Sequence, residues 1–179
     1  DKVFKASKIN DIPVPGQTTR RSRPVTLGYN TRIEADTSLM AYNADFATNL
    51  RSGTGNDLVS YQTEDPRITN MSWTAVRLGL NYSAALAETW AWGVRAQMQY
   101  SPDVLISGEQ FGIGGGGSAM GGMISVRGYR EREIVGDYGV SFNVEGLGPD
   151  FAKLVESESL SLRPIGFFDF GWAGNNHGR

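Results

Sequence analysis

The sequence predicts an all-β fold, a section of an antiparallel transmembrane β-barrel. Three observations carry this. Six segments alternate apolar and polar residues with period two, as strands with two different faces do. They run to about 9–13 residues, beyond the 5 or 6 usual in soluble sheets and close to the 9–11 that a tilted strand needs to cross a bilayer. The connections alternate short with long, as short periplasmic turns and longer external loops do in outer-membrane barrels.

The first strand is expected over 25–35, with Val25, Leu27, Tyr29, Thr31 and Ile33 opposite Thr26, Gly28, Asn30, Arg32 and Glu34. A turn at Ala35 to Ser38 leads to the second, 39–51, where Met40, Tyr42, Ala44 and Phe46 alternate with Ala41, Asn43, Asp45 and Ala47. A long excursion from Ser52 to Asn70 precedes the clearest pair. Strand 72–86 sets Val76, Leu78, Leu80 and Tyr82 against Arg77, Gly79, Asn81 and Ser83, and strand 89–101 sets Trp90, Trp92, Val94, Ala96, Met98 and Tyr100 against Gly93, Arg95, Gln97 and Gln99. The short link around Ala87 and Glu88 makes these two a hairpin. Beyond a loop over 102–136, strand 137–146 sets Tyr138, Val140, Phe142 and Val144 against Gly139, Ser141, Asn143 and Glu145. The last, 160–173, places Leu160, Leu162, Phe168, Phe170 and Trp172 opposite Arg163, Ile165, Phe167, Asp169 and Gly171, with Pro164 interrupting it near its start.

The apolar faces carry aromatic residues near strand ends (Tyr82, Trp90, Trp92, Tyr100, Tyr138, Trp172), as an interfacial girdle would. The opposite faces hold Arg32, Asp45, Arg77, Arg95, Gln97 and Glu145, suited to lining a wet lumen of mixed charge. A soluble β-sandwich with a ligand-binding role is the competing reading; strand length and loop asymmetry weigh against it. Six strands would leave two bare edges in hydrocarbon, each open backbone group costing several kcal/mol, so the chain is expected to belong to a larger barrel.

Composition bounds the remaining classes. The 179 residues amount to about one domain. The 23 glycines are nearly twice the usual share, and 17 Lys and Arg against 19 Asp and Glu give a net charge of -2, with no basic surplus to attract nucleic acid. Absence of cysteine removes disulfides, thiolate metal sites and cysteine nucleophiles, and the single histidine, His177, cannot supply a two- or three-histidine metal cluster, so neither metal nor cofactor is expected. No stretch reaches the 18 or so apolar residues of a membrane-spanning helix, and Asp1 to Asn10 lack signal-peptide organisation. Gly112-x-Gly114-x-x-Gly117 matches a dinucleotide fingerprint by letter but lacks the strand–helix context that gives it meaning. Asp45, Glu145 and Asp169 are ordinary lumen carboxylates rather than a glycosidase pair, and His177 falls in an exposed loop, so no enzyme activity is expected.

The central loop is too long for an idle connection. It opens Glu109-Gln110-Phe111-Gly112-Ile113-Gly114-Gly115, passes a glycine-rich run, and then reads Val126-Arg127-Gly128-Tyr129. Two strands later comes Phe168-Asp169-Phe170-Gly171, with Asn143-x-Glu145 on the strand between. In content, order and spacing these elements resemble the outer-membrane transporters of two-partner secretion, the TpsB group (haemolysin activator and filamentous haemagglutinin transporter type) of the polypeptide-transporting barrel superfamily. The insertion Gly116 to Met123 is longer than that family's pattern.

The resemblance implies that the chain spans strands eight to thirteen of an expected sixteen, without the family's periplasmic POTRA domains. It implies that loop 102–136 folds back inside the barrel, carrying the motif Val126, Arg127, Gly128, Tyr129 to a wall motif of Phe168, Asp169, Gly171 and Glu145. Parity puts Asp169 on the polar face, where the planar fork of Arg127 can grip it at two points as lysine could not. Gly128 would let the turn reverse, and Tyr129 would pack on the wall. Without the resemblance, Arg127 would read as part of a solvated charge run with Arg130, Glu131, Arg132 and Glu133. The function implied is a monomeric pore in the Gram-negative outer membrane, surrounded by lipid, that exports a TpsA-like adhesin or cytolysin without nucleotide hydrolysis. An assembly insertase of the same superfamily is the alternative.

Overall fold

The computed structural model describes residues 2–5, 8–9, 12–13, 18–87, 89–115, 126–152 and 161–177. In chain order the elements are β1 (Lys2–Phe4), β2 (Lys8–Ile9), β3 (Ile12–Pro13), β4 (Arg20–Ser22), β5 (Pro24–Ala35), β6 (Ser38–Asn49), α1 (Leu58–Gln62), β7 (Thr74–Ala85), β8 (Ala91–Tyr100), β9 (Phe111–Ile113), β10 (Ile134–Gly136), β11 (Tyr138–Leu147) and β12 (Ile165–Gly174). Six of them form one antiparallel sheet in the order β12-β11-β8-β7-β6-β5, so the long strands lie side by side in chain sequence, as six staves of a partial barrel wall.

The register brings like with like across every strand. One row runs Tyr29, Ala44, Leu78, Met98, Val140, Trp172, and the next Thr31, Tyr42, Leu80, Ala96, Phe142, Phe170. Rows of the other parity read Gly28, Asp45, Arg77, Gln99, Gly139, Ala173 and Arg32, Ala41, Asn81, Arg95, Asn143, Asp169. A one-residue slip would exchange these two chemistries completely, which is what holds the register. The apolar face lies bare: Leu27 is 78% exposed, and Leu78, Phe168 and Trp172 are open as well. A surface this large and greasy calls for lipid or a partner. Aromatic pairs sit near both of its margins, Tyr82 against Trp92 at 5.3 Å and Tyr138 against Trp172 at 5.5 Å.

The compact core lies elsewhere, at the end of the sheet where the long connections emerge. There Tyr61, Ile68, Trp73, Val104, Leu105 and Ile106 pack with Ala47 and Ala75, and Phe4, Leu58 and Met71 close over them. Helix α1 starts because Asp57 caps it, accepting from the Ser60 N–H at 2.8 Å. Asn49 ties the cap to the wall, donating to Asn56, the Tyr61 hydroxyl and the Met71 carbonyl. Asp137, fully buried, accepts from the N–H groups of Leu105 and Asn176 and from the Gln110 amide. The other end of the sheet carries tight turns at Asp36 and Thr37 and around Ala87.

The last strand differs from expectation. Residues 161–164 are not strand and β12 begins at Ile165; Leu160 lies outside the described residues, as does the expected insertion Gly116 to Met123. Pro164 brings no N–H to a ladder, and its carbonyl instead accepts from Gly148 at 2.8 Å to close the connection. Asp150 organises the same segment, accepting from the N–H groups of Leu162 and Ala152 and from the Ser161 hydroxyl, which hold its carboxyl down at about 2. Arg163 therefore does not join the polar row; its guanidinium donates to the Gly148 and Thr89 carbonyls.

Candidate functional site

The loop between β8 and β11 turns back over the polar face of the sheet. Its entry and exit pair as β9 and β10, with Phe111 opposite Gly136 and Ile113 opposite Ile134. This ribbon rests on β11 and β12. Gly171 makes room for it: a Cβ there would stand 2.8 Å from both Ile113 and Val126, so any side chain would push the ribbon off the wall. Gly128 serves differently. Its φ of 92° is a left-handed conformation that other residues avoid, and the chain reverses there.

The reversal delivers Arg127 to the wall. Its Nε and Nη2 donate to the two oxygens of Asp169, each at 2.7 Å, and its backbone N–H adds a third bond to Asp169 Oδ2 at 3.0 Å. Nη1 reaches Glu145 Oε2 at 2.9 Å on the neighbouring strand. The guanidinium plane lies 3.6 Å over the Phe167 ring. Asn143 donates to Asp169 Oδ1 at 2.8 Å and so fixes the carboxylate from the side. Asp169, Glu145 and Asn143 are all but sealed from solvent. Such charges are costly to bury alone, and the arrangement is stabilised because both oxygens of Asp169 and Oε2 of Glu145 have charged or amide donors.

The loop motif and the wall motif thus meet through Arg127, Asp169, Glu145 and Gly171. Phe168 points to the opposite face, 59% exposed, where its ring lies 5.8 Å from Phe142. Tyr129 is 48% exposed, and its backbone carbonyl accepts from Gly115.

Of the residues expected to line a wet lumen, Arg32 pairs with Glu34 near one end of the polar face, both well exposed. Asp45 accepts from Asn43 at 3.0 Å. Gln97 is exposed, and Arg95 is 9% exposed between Asn81 and Asn143. Glu145 is not open lining, because Arg127 covers it; Arg77, partly exposed, donates to Gln99 of the wall at 2.8 Å and to Glu109 of the loop at 3.1 Å. A cavity of about 430 Å³ remains between loop and wall, bordered by Asp45, Arg77, Gln97, Gln99, Glu131 and Arg132.

Sequence reasoning did not single out Glu109. Its side chain is completely buried and receives Lys2 Nζ at 2.8 Å, Arg77 Nη2 at 3.1 Å and the Ser22 hydroxyl at 3.1 Å. The one signal available was a lone carboxylate opening a glycine-rich lead-in.

The bare apolar face, the polar face and the loop fastened upon it form the pattern against which relatives can be judged. No curated protein and no solved structure matches the chain. The family described as haemolysin secretion/activation protein ShlB/FhaC/HecB matches residues 6–179, nearly the whole length. The chain belongs to this family, the outer-membrane transporters of two-partner secretion in Gram-negative bacteria.

Proposed function

We propose that this chain forms the wall and the inner loop of a monomeric pore that passes one large exoprotein, an adhesin or cytolysin, from the periplasm to the cell surface. The exported chain threads the lumen unfolded and no nucleotide is hydrolysed. The polar face and the loop over it meet the passing chain with both signs of charge, Arg32, Glu34 and Asp45 on the wall and Arg132 on the loop, so neither sign is trapped. Loop 102–136 acts as a brace or gate within the lumen.

The observation that supports this best is the position of Arg127. A guanidinium gripped by two carboxylates on the polar face, while the reverse face is bare and greasy, suits a loop that lives inside a barrel. The test is a charge exchange in the full-length protein, with exported exoprotein measured in the medium. Arg127→Asp and Asp169→Arg should each cut secretion severely, and the double variant should recover part of it. Equal loss in all three would overturn the pairing as a determinant of transport.

A further inference from the structure

The Arg127 cluster fixes one point of the inner loop, and one point leaves a loop free to swing. The structure holds a second cluster at the loop's entry. Glu109 stands two residues before β9 with its carboxylate wholly buried, and three groups converge on it from separate parts of the chain: Lys2 in β1, Ser22 in β4 and Arg77 in β7. Its backbone carbonyl is engaged as well, accepting from the Gln99 amide at 2.9 Å, while Arg77 Nε donates to that same amide's oxygen. Phe4 adds an apolar contact so close to Gly108 that a Cβ there would fall within 1.9 Å of the ring.

We propose that Glu109 is a positioning residue: a second anchor, independent of Arg127, that clamps the base of the inner loop to the wall through Arg77 and to the N-terminal hairpin through Lys2. The two anchors lie diagonally across the sheet. Arg77 sits in the row of Gln99 and Ala173, whereas Asp169 lies four residues further along β12 and three strands away. Four residues of strand correspond to roughly 13 Å. Two points so separated define the loop's orientation as well as its depth. With both closed, the ribbon β9–β10 cannot tilt; release of Arg127 alone frees the reversal at Gly128 while the base stays seated. The clamp also joins the β1–β4 hairpin to the loop, so a force on that hairpin is felt at β9 through the Glu109 carboxylate as well as through the Phe4 contact.

The inference rests on the transport reading only for its secretion arm, and the distance arm stands without it. The full-length protein, with cysteines only at positions 30 and 131, is spin-labelled in liposomes so that one label reports the wall and the other the loop. E109Q leaves a neutral isostere facing two cations, and it should at least double the width of the 30–131 distance distribution and lower secretion several-fold. The triple exchange K2E/R77E/E109K restores an opposite charge across both contacts and should return most of the lost narrowness. An unchanged distribution in E109Q overturns the proposal, as does an exchange that stays as broad as E109Q. Should E109Q fail to assemble, R77Q reads the same contact from the wall; failure of both to assemble makes the cluster a folding requirement and overturns the positioning role. A broadened loop with undiminished secretion upholds the anchor and counts against the loop's part in transport.

Discussion

Arg127 engages carboxylates on two adjacent strands at once, Asp169 on β12 and Glu145 on β11, and lays its flat face on Phe167. Each contact depends on a planar group with donors along three edges. Lysine retains the charge but has neither the fork nor the plane. Arg127→Lys should therefore weaken the loop's seat by about 2–3 kcal/mol, the worth of charge-assisted bonds lost from a nearly sealed site. Faster tryptic cleavage at Arg130 and Arg132, together with several-fold lower secretion, is the expected outcome; wild-type cleavage rates would show that charge alone seats the loop. The small residue beneath tests the same seat sterically. Gly171→Val must drive Ile113 and Val126 outward, because its Cβ alone would stand 2.8 Å from each, an overpacking strain of about 1–3 kcal/mol. The expected result is a barrel that still migrates as a folded species on gels but exports poorly. In the sequence, Arg127 is one basic residue among several, next to Arg130 and Arg132; its partner lies 42 residues away, and only the resemblance to a family pointed to it.

The cap over the long-loop end is an element with a core of its own, and it fails by different means. Trp73, fully buried, fills its centre, and Trp73→Ala should destabilise it by about 3–5 kcal/mol, seen as rapid proteolysis within residues 50–73 while the sheet resists. Tyr61 makes the cap sensitive to alkali. Burial pushes its hydroxyl up to about 12, above the roughly 10 of an exposed tyrosine. The neutral phenol is the form that packs, so its contribution is intact below pH of about 10 and is lost as pH climbs through about 12. Protease susceptibility of the cap should rise across that window. Tyr61→Phe should flatten the rise while lowering stability at neutral pH by about 1 kcal/mol, because the hydroxyl bonds to Arg21, Asn49 and Asn56 disappear. The cap also marks the limit of what periodicity reveals. The six long strands were legible because alternate residues carry opposite chemistries, apolar on one face and polar on the other. Helix α1 spans five residues and the hairpins β1–β4 and β2–β3 only two or three per strand, too short for any period to develop. Glu109 was hidden for a related reason: Lys2 and Ser22 lie 107 and 87 residues from it, and no local pattern links them.

At the scale of the molecule, the two faces of one sheet must meet two solvents. The apolar rows have no cover among the described residues, and the family places the chain in the outer membrane, so we expect those rows to face lipid. Leu80 stands near the middle of β7, flanked in its row by Tyr42 and Ala96. An arginine there would have to enter hydrocarbon at about the depth where a barrel suffers most, a cost of roughly 2–4 kcal/mol. Gln97, next in chain to Ala96 but of opposite parity, is exposed on the polar face between Gly79 and Ser141. Arginine at that position keeps its water, and a change within about 0.5 kcal/mol is expected. Reversible unfolding of the full-length protein in liposomes by denaturant measures both. Leu80→Arg should lower the midpoint markedly and Gln97→Arg should leave it in place, although the two sites occupy neighbouring rows and receive the same side chain. Equal effects would mean that both faces see the same medium, and the division of this wall into an oily and a watery side would not stand.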